Sequence, residues 1–223
     1  MGDFGTYSFF PSKNLGGFGD GGMVVCNDDD LAERARILRM HGSKPKYFHR
    51  EVGGNFRLDP LQAALLRVKL RRYGDYTRAR QENAAYYTGK LSVLQGVEAG
   101  TPARCCCAGG QEESPGDTRV VLPTCCEHNE HIWNQFTLRV RGEGRRDALR
   151  KHLGTREIGC EIYYPLTMDQ QECFTNLPER SRTGNEGAHL LATEALSIPI
   201  YPELRREMQD HVVTALEEFL GGD

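Results

Sequence analysis

With 223 residues and a net charge of −3 at pH 7, the chain is long enough for one large domain or two small ones with real cores. A pI near 6.2 and interleaved acids and bases give no basic field for nucleic acid or anionic lipid, so the expected partner is a small molecule. No apolar run reaches the length of a bilayer span, and the first residues carry neither the basic segment nor the apolar core of a signal peptide, which reads as a cytoplasmic chain.

The first stretch with chemistry in it is Thr6-Tyr-Ser8-Phe-Phe-Pro-Ser-Lys13-Asn-Leu-Gly16-Gly17, followed by Phe18-Gly-Asp-Gly-Gly22-Met-Val-Val-Cys26. Lys13 stands five residues after Ser8, between an aromatic run and a glycine-rich turn whose backbone N–H groups can approach an anion. A lysine amine condenses with an aldehyde only when unprotonated, and apolar surroundings such as Phe9, Phe10 and Leu15 favour that form. Ser8 and Lys13 could therefore divide the work on pyridoxal 5′-phosphate, the hydroxyl donating to the phosphate and the amine forming the Schiff base. Spacing alone favours a surface lysine in a glycine-rich loop. A P-loop is excluded because no Gly-Lys-Ser/Thr end is present, and a Ser-x-x-Lys nucleophile because position 10 is Phe.

Met23 to Cys26 has the composition of a short buried strand, and Asn27 or Asp28 can cap a helix whose inner face carries Leu31, Ala35 and Leu38, with Gly42 as its stop. Residues 43–58 lack a period and are expected to be a functional loop, in which Gly53-Gly-Asn55-Phe-Arg57 offers an amide and a guanidinium to phosphate or carboxylate. A turn with a solvated Arg fits the same residues, and the spacing by itself favours it. Asp59-Pro60 is a helix start, and two apolar stripes from Leu61 to Tyr73 predict a helix buried on more than one side. A second long helix, from about Tyr76 to Leu91, carries the chain towards another domain.

The segment from about 96 to 129 has little period apart from Val120-Val-Leu122 and is expected to be an inserted loop of low order, with function least expected there. It holds five of the eight cysteines, as Cys105-Cys-Cys107 and Cys125-Cys126. Adjacent cysteines without a secretory signal read as free thiols, not as a disulfide framework or a Cys-x-x-Cys zinc site, and no metal is expected; thiols joined by His128 or His131 are the one arrangement that could hold an ion. Beyond it, Trp133 to Val140 alternates like a strand, Arg145 to Leu153 has a helical period, and Ile158 to Tyr164 reads as another strand. Gly187 to Leu196 is expected to be helical, Ile198 to Pro202 a turn or edge segment, and Arg205 to Leu220 a helix with Met208, Val212, Ala215 and Phe219 on one face.

In order along the chain, Ser8-Phe-Phe-Pro-Ser-Lys13-Asn-Leu-Gly-Gly, Gly19-Asp-Gly-Gly22, Gly53-Gly-Asn-Phe-Arg-Leu-Asp59 with Gln62-Ala-Ala64, Ile162-Tyr-Tyr-Pro165 with Gln171-Glu-Cys-Phe174, and Leu196-Ser-Ile-Pro-Ile-Tyr-Pro202 resemble the DegT/StrS sugar aminotransferases. The ordered set is specific where each piece alone is weak. The resemblance implies an α/β chain of fold type I that is incomplete: residues 1–88 as the end of the large cofactor domain, and residues 89–223 as a small α/β domain containing the segment from about 96 to 129. It implies sequence upstream, because the aromatic residue on the cofactor ring and the aspartate at its pyridine nitrogen belong to a half not found here.

The same resemblance implies pyridoxal 5′-phosphate as cofactor, Lys13 as its Schiff-base lysine and proton carrier, and Ser8 as a phosphate ligand. It implies that Asn55 reaches the phosphate of a neighbouring subunit with Arg57 close by, so that a homodimer shares its active sites. The substrate is implied to be a nucleotide-linked keto sugar, with an amino acid, glutamate by preference, as donor, in the making of amino sugars or cell-surface polysaccharide. Arg57, Tyr164 and Asp169 are implied to meet the substrate, the last two from the sugar loop. The segments there look most like the branch acting on UDP-linked 3-keto-N-acetylglucosaminuronate, except that Asp169 stands where that branch carries His, and an acid at that point would repel a carboxylate or diphosphate. The alternatives are a non-catalytic fragment or decoy subunit, another pyridoxal-phosphate enzyme of the same fold, for which the family's dehydratases would carry His at position 13, and a nucleotide-binding module built on Gly16 to Gly22.

Overall fold

The computed structural model describes residues 2–100, 119–126, 128–174, 176 and 184–222. The chain is mixed α/β and forms two compact units, Met1–Tyr76 and Thr77–Asp223.

In the first unit, β1 (Gly5–Ser8) and β2 (Gly22–Val25) pair antiparallel, with Thr6 opposite Val24 and Tyr7 opposite Met23. Phe9 N–H donates to Gly21 O at 2.8 Å and continues the ladder beyond Ser8. The strand expected to be buried is exposed at all four of its residues. Two short strands cover only each other's edges, so Met23, Val24 and Val25 keep their side chains on the surface.

Helix α1 (Asp29–Arg39) begins where Asp28 accepts from Leu31 N–H at 2.9 Å, and acids fill its first turn while Arg36 and Arg39 lie in its last. It ends before Gly42, whose φ of +68° is open to glycine and whose added Cβ would lie 1.8 Å from Glu51 O. Residues 43–58 contain no helix or strand, only bridges between Met40 and Asn55 and between Ser43 and His49. Helix α2 (Pro60–Leu70) starts on Asp59, which accepts from Leu61 N–H at 3.1 Å, with Pro60 in the first turn where its missing N–H costs nothing. Only Leu66 of this helix is buried, while Leu61, Val68 and Leu70 are exposed. Apolar stripes on two sides thus do not correspond to burial on two sides.

Helix α3 (Tyr73–Leu91) contains the division between the units. Its part in the second unit packs Ala84, Tyr87 and Leu91 into a core shared with four strands in the order β3 (Val97–Ala99), β4 (Val120–Leu122), β5 (Phe136–Val140) and β6 (Ala195–Ile198). β3 and β4 run parallel, and the other pairs are antiparallel. A parallel pair needs a crossover of a dozen or more residues, and the chain between Ala99 and Val120 provides that length. The expected insert therefore has sheet strands at its start and near its end. Its residues 101–118, with Cys105 to Cys107, lie outside the described residues.

β5 buries Phe136, Leu138 and Val140 in strict alternation, and β6 is buried at every position. Ser197 in β6 satisfies its hydroxyl against Thr137 Oγ1 at 2.8 Å. β6 corrects the expectation of a helix up to Leu196, since α5 (Glu186–Glu194) stops before it. The strand expected over Ile158 to Tyr164 shrinks to one bridge, Glu161 with Ser197. Its next amide, Ile162 N–H, is taken by the Glu161 side chain at 3.0 Å, and Pro165 has no N–H to extend a ladder.

Helix α4 (Arg145–Thr155) places Leu149 and Leu153 in the core, and Arg146 Nη1 donates to Ala192 O at 2.9 Å at the end of α5. Helix α6 (Arg206–Gly221) turns Gln209, Val212, Ala215, Leu216 and Leu220 inward. This face is rotated by about one residue from the expected one, leaving Met208 outside. Buried Gln209 donates to Asn83 O at 3.0 Å and accepts from Arg206. Arg80, also buried, donates through Nη1 to Trp133 O, Asn134 O and Ile200 O at 3.0, 3.2 and 2.9 Å.

Candidate active site

Between β1 and β2 the chain turns twice. Lys13 N–H donates to Phe10 O at 2.9 Å, and Gly17 N–H returns to Phe9 O at 2.8 Å. This return brings Gly16 so close to the earlier turn that a Cβ on it would lie 2.3 Å from Pro11 O. Helix α2 holds the turn from outside: Gln62 Oε1 accepts from Phe18 N–H at 2.8 Å and Lys69 Nζ donates to Gly16 O. Lys13 is exposed and makes no ion pair or side-chain hydrogen bond with the described residues. Of the apolar residues expected around it, Phe9 is buried, Leu15 half-buried and Phe10 exposed. Ser8 Oγ accepts from Phe10 N–H at 3.3 Å, which leaves its own O–H to donate elsewhere.

Asn55 and Arg57 are positioned by the end of α1. Gly54 N–H and Phe56 N–H donate to Leu38 O and Arg39 O at 2.9 and 3.1 Å. The loop is thereby pinned on both sides of Asn55. Arg57 Nε donates to Asn55 Oδ1 at 2.6 Å, so the amide NH₂ of Asn55 and the terminal nitrogens of Arg57 are the donors left for an anion. The neighbouring side chains are apolar and outward, with Val52 99% exposed and Tyr47, Phe48 and Phe56 also on the surface.

Tyr164 and Asp169 belong to the second unit. The Tyr164 side chain is on the surface, 71% exposed. Asp169 is the middle residue of a single 3₁₀ turn (Met168–Gln170), and its side chain is only 11% exposed. Thr167 Oγ1 donates to Asp169 Oδ1 at 2.6 Å, and His189 Nε2, from α5, meets Asp169 Oδ2 at 2.8 Å. The Thr167 hydroxyl, with His189 as a further donor, holds the Asp169 pKa down at about 2, against a smaller opposing effect of burial.

Gln62, Lys69, Thr167 and His189 are the site residues that sequence reasoning did not assign. Gln62 lies in the Gln62-Ala-Ala64 segment that carries the family resemblance, and its position alone shows no partner for it. Among the described residues no group of three or more His, Cys, Asp or Glu side chains converges as a metal site, and Cys125 donates to Asn129 O at 3.0 Å. No described helix is long and apolar enough to cross a membrane.

A model of the DegT/DnrJ/EryC1/StrS aminotransferase family matches residues 1–105 and 112–217. A protein named pleiotropic regulatory protein from Geobacillus stearothermophilus is 41% identical over 219 residues, which are 98% of this chain and 52% of that protein. A UDP-N-acetyl-3-dehydro-α-D-glucosamine 3-aminotransferase from Acidithiobacillus ferrooxidans is 35% identical over 222 residues, 100% of this chain and 52% of that enzyme. Among solved structures, Streptomyces venezuelae DesV in complex with a ketimine intermediate superposes with a TM-score of 0.79 at 35% identity, over 99% of this chain and 52% of that one. The chain spans about half the length of the curated relatives it matches.

Proposed function

The chain belongs to the DegT/DnrJ/EryC1/StrS aminotransferase family, and from that premise we propose that it supplies the lysine-bearing part of a pyridoxal-phosphate enzyme that moves an amino group from an amino acid, glutamate by preference, to a nucleotide-linked keto sugar. The observation that carries this reading is Lys13, exposed and without an ion pair among the described residues, on a turn that Gly16, Gln62 and Lys69 keep from rearranging. In this reading residues 1–88 belong with the large cofactor domain and 89–223 form the small one.

The residues present fit the cofactor. When bound, pyridoxal 5′-phosphate supplies an aldehyde that takes up an amine and a conjugated ring that spreads the charge left when a proton departs from carbon. Lys13 Nζ would hold the aldehyde carbon covalently, and the Ser8 hydroxyl would donate to a phosphate oxygen. Lys13 Nζ would also be the base that takes the proton from the donor's α carbon and later returns one to the product. Asn55 and Arg57 would donate to a phosphate or carboxylate. Outward Tyr47, Phe48, Val52 and Phe56 beside them support burial of this loop against a second copy of the chain, with the donors serving the partner's site.

The test is borohydride reduction of the purified chain with pyridoxal 5′-phosphate, followed by peptide mapping. A pyridoxyl group confined to Lys13, and absent from Lys13→Ala, is the expected result. Labelling spread over many lysines, or unchanged in Lys13→Ala, overturns the assignment.

A further inference from the structure

We propose that His189 is the group this chain offers to the anionic part of a nucleotide-linked sugar, with Asp169 as its positioning residue. The inference rests on the reading above, because that reading supplies the class of ligand.

An acid in a sugar-binding loop poses a problem for an anionic substrate, since a bare carboxylate repels a diphosphate or a uronate. The geometry removes it. Asp169 Oδ1 is occupied by Thr167 Oγ1 at 2.6 Å and Oδ2 by His189 Nε2 at 2.8 Å. With its side chain 11% exposed, the carboxylate is not the group that solvent or ligand meets. The imidazole is, at 37% exposure. A carboxylate can only accept, so Nε2 carries the hydrogen, and Nδ1 is the nitrogen left to face a ligand. In the neutral ring Nδ1 accepts from a sugar hydroxyl; in the charged ring it donates to a phosphate or carboxylate oxygen.

Both ends of the pair are braced, as a recognition group requires. On the loop side, Thr167 N–H donates to Gln170 Oε1 at 3.1 Å and Gln170 N–H to Thr167 O at 3.1 Å, closing the turn on which Asp169 sits. On the helix side, Arg146 holds Ala192 O, and Arg139 donates twice to Glu194 Oε2 at 2.9 and 3.1 Å. On the stretch that leads into this turn, Tyr163, Tyr164, Leu166 and Met168 keep their side chains on the surface. Exposed aromatic and apolar side chains on the same loop as a polar group offer faces on which a sugar or nucleoside ring can stack.

The experiment uses the full chain labelled with ¹⁵N, with UDP-N-acetylglucosamine as the probe, and follows the imidazole nitrogens by long-range ¹H–¹⁵N correlation. Without probe, His189 is expected to show its hydrogen on Nε2; with probe, its Nδ1 signal moves. His189→Gln should weaken probe binding about tenfold, the effect of one hydrogen bond to a charged group. Asp169→Asn should change the tautomer signature of His189 while leaving the amide exchange of β5 and β6 intact, an effect that a merely structural role would not produce. Binding with the His189 nitrogens unmoved overturns the proposal, and this measurement needs no variant to fold. If the probe fails to bind while Lys13 still takes up a pyridoxyl group, the His189 role falls and the aminotransferase reading stands. If neither occurs, both fall.

Discussion

A carboxylate that accepts from a hydroxyl and an imidazole releases its proton more readily than one in water, and Asp169 is in that position at a pKa of about 2 against an ordinary 3.8. Because the folded value is the lower one, the stabilising contribution of this ionisation is complete above the ordinary value and is lost as the pH falls through about 2. A ¹³C titration of the carboxyl carbon should give a midpoint near 2, and Thr167→Val should raise it; a wild-type midpoint at the ordinary value would refute the arrangement. The sequence made Asp169 conspicuous as an acid among sugar-loop residues. It did not disclose that the charge is covered, because His189 lies twenty residues away and meets it only through the placement of α5. The turn that carries Lys13 was legible for the opposite reason, since Ser8, the lysine and the glycines that shape it are all local in sequence.

Capping shows most directly how sequence becomes structure at the level of elements. Asp28 and Asp59 each accept from an amide in the first turn of the helix that follows, which is what their position before an apolar period predicts. Asp28→Ala should cost about 1 kcal/mol of α1 stability, seen as faster amide exchange at Leu31 and Ala32; unchanged protection would deny the cap. Periodicity was a poorer guide to the faces of α6. Counting apolar residues selects Met208, yet the helix turns Gln209 inward, because an amide that pairs with Asn83 O and Arg206 can be buried as readily as a methylene chain. Gln209→Leu leaves Asn83 O and the Arg206 guanidinium without this amide at once and should lower the urea midpoint by the equivalent of about 1–3 kcal/mol. β6 escaped notice for a related reason: a strand buried on both faces has no alternation to show, and four residues are too few to distinguish from a helix end.

Across the whole chain the core is unequally distributed. The second unit has a continuous core from Ala84 to Leu220, whereas among the described residues of the first only Phe9 and Leu66 are buried large apolar side chains. Composition announces enough apolar residues for a core but not where they gather, which is why Met23 to Val25 and α2 were expected to be buried. Leu149→Ala should therefore cost about 2–5 kcal/mol, while Leu61→Ala, on an exposed face, should stay within about 0.5 kcal/mol. Urea unfolding of both variants checks the contrast, and equal losses would contradict this distribution.

Arg80 carries that unequal distribution into the order of synthesis. Its guanidinium sits among carbonyls at Trp133, Asn134 and Ile200, the last of them 120 residues away. A buried cation needs its acceptors in place before water leaves it. On the ribosome, α3 must therefore wait with its charge in solvent until Ile200 has emerged. Nascent chains stalled before Ile200 leaves the exit tunnel are expected to be cut readily by protease within the second unit, and chains released a few residues beyond α6 to resist.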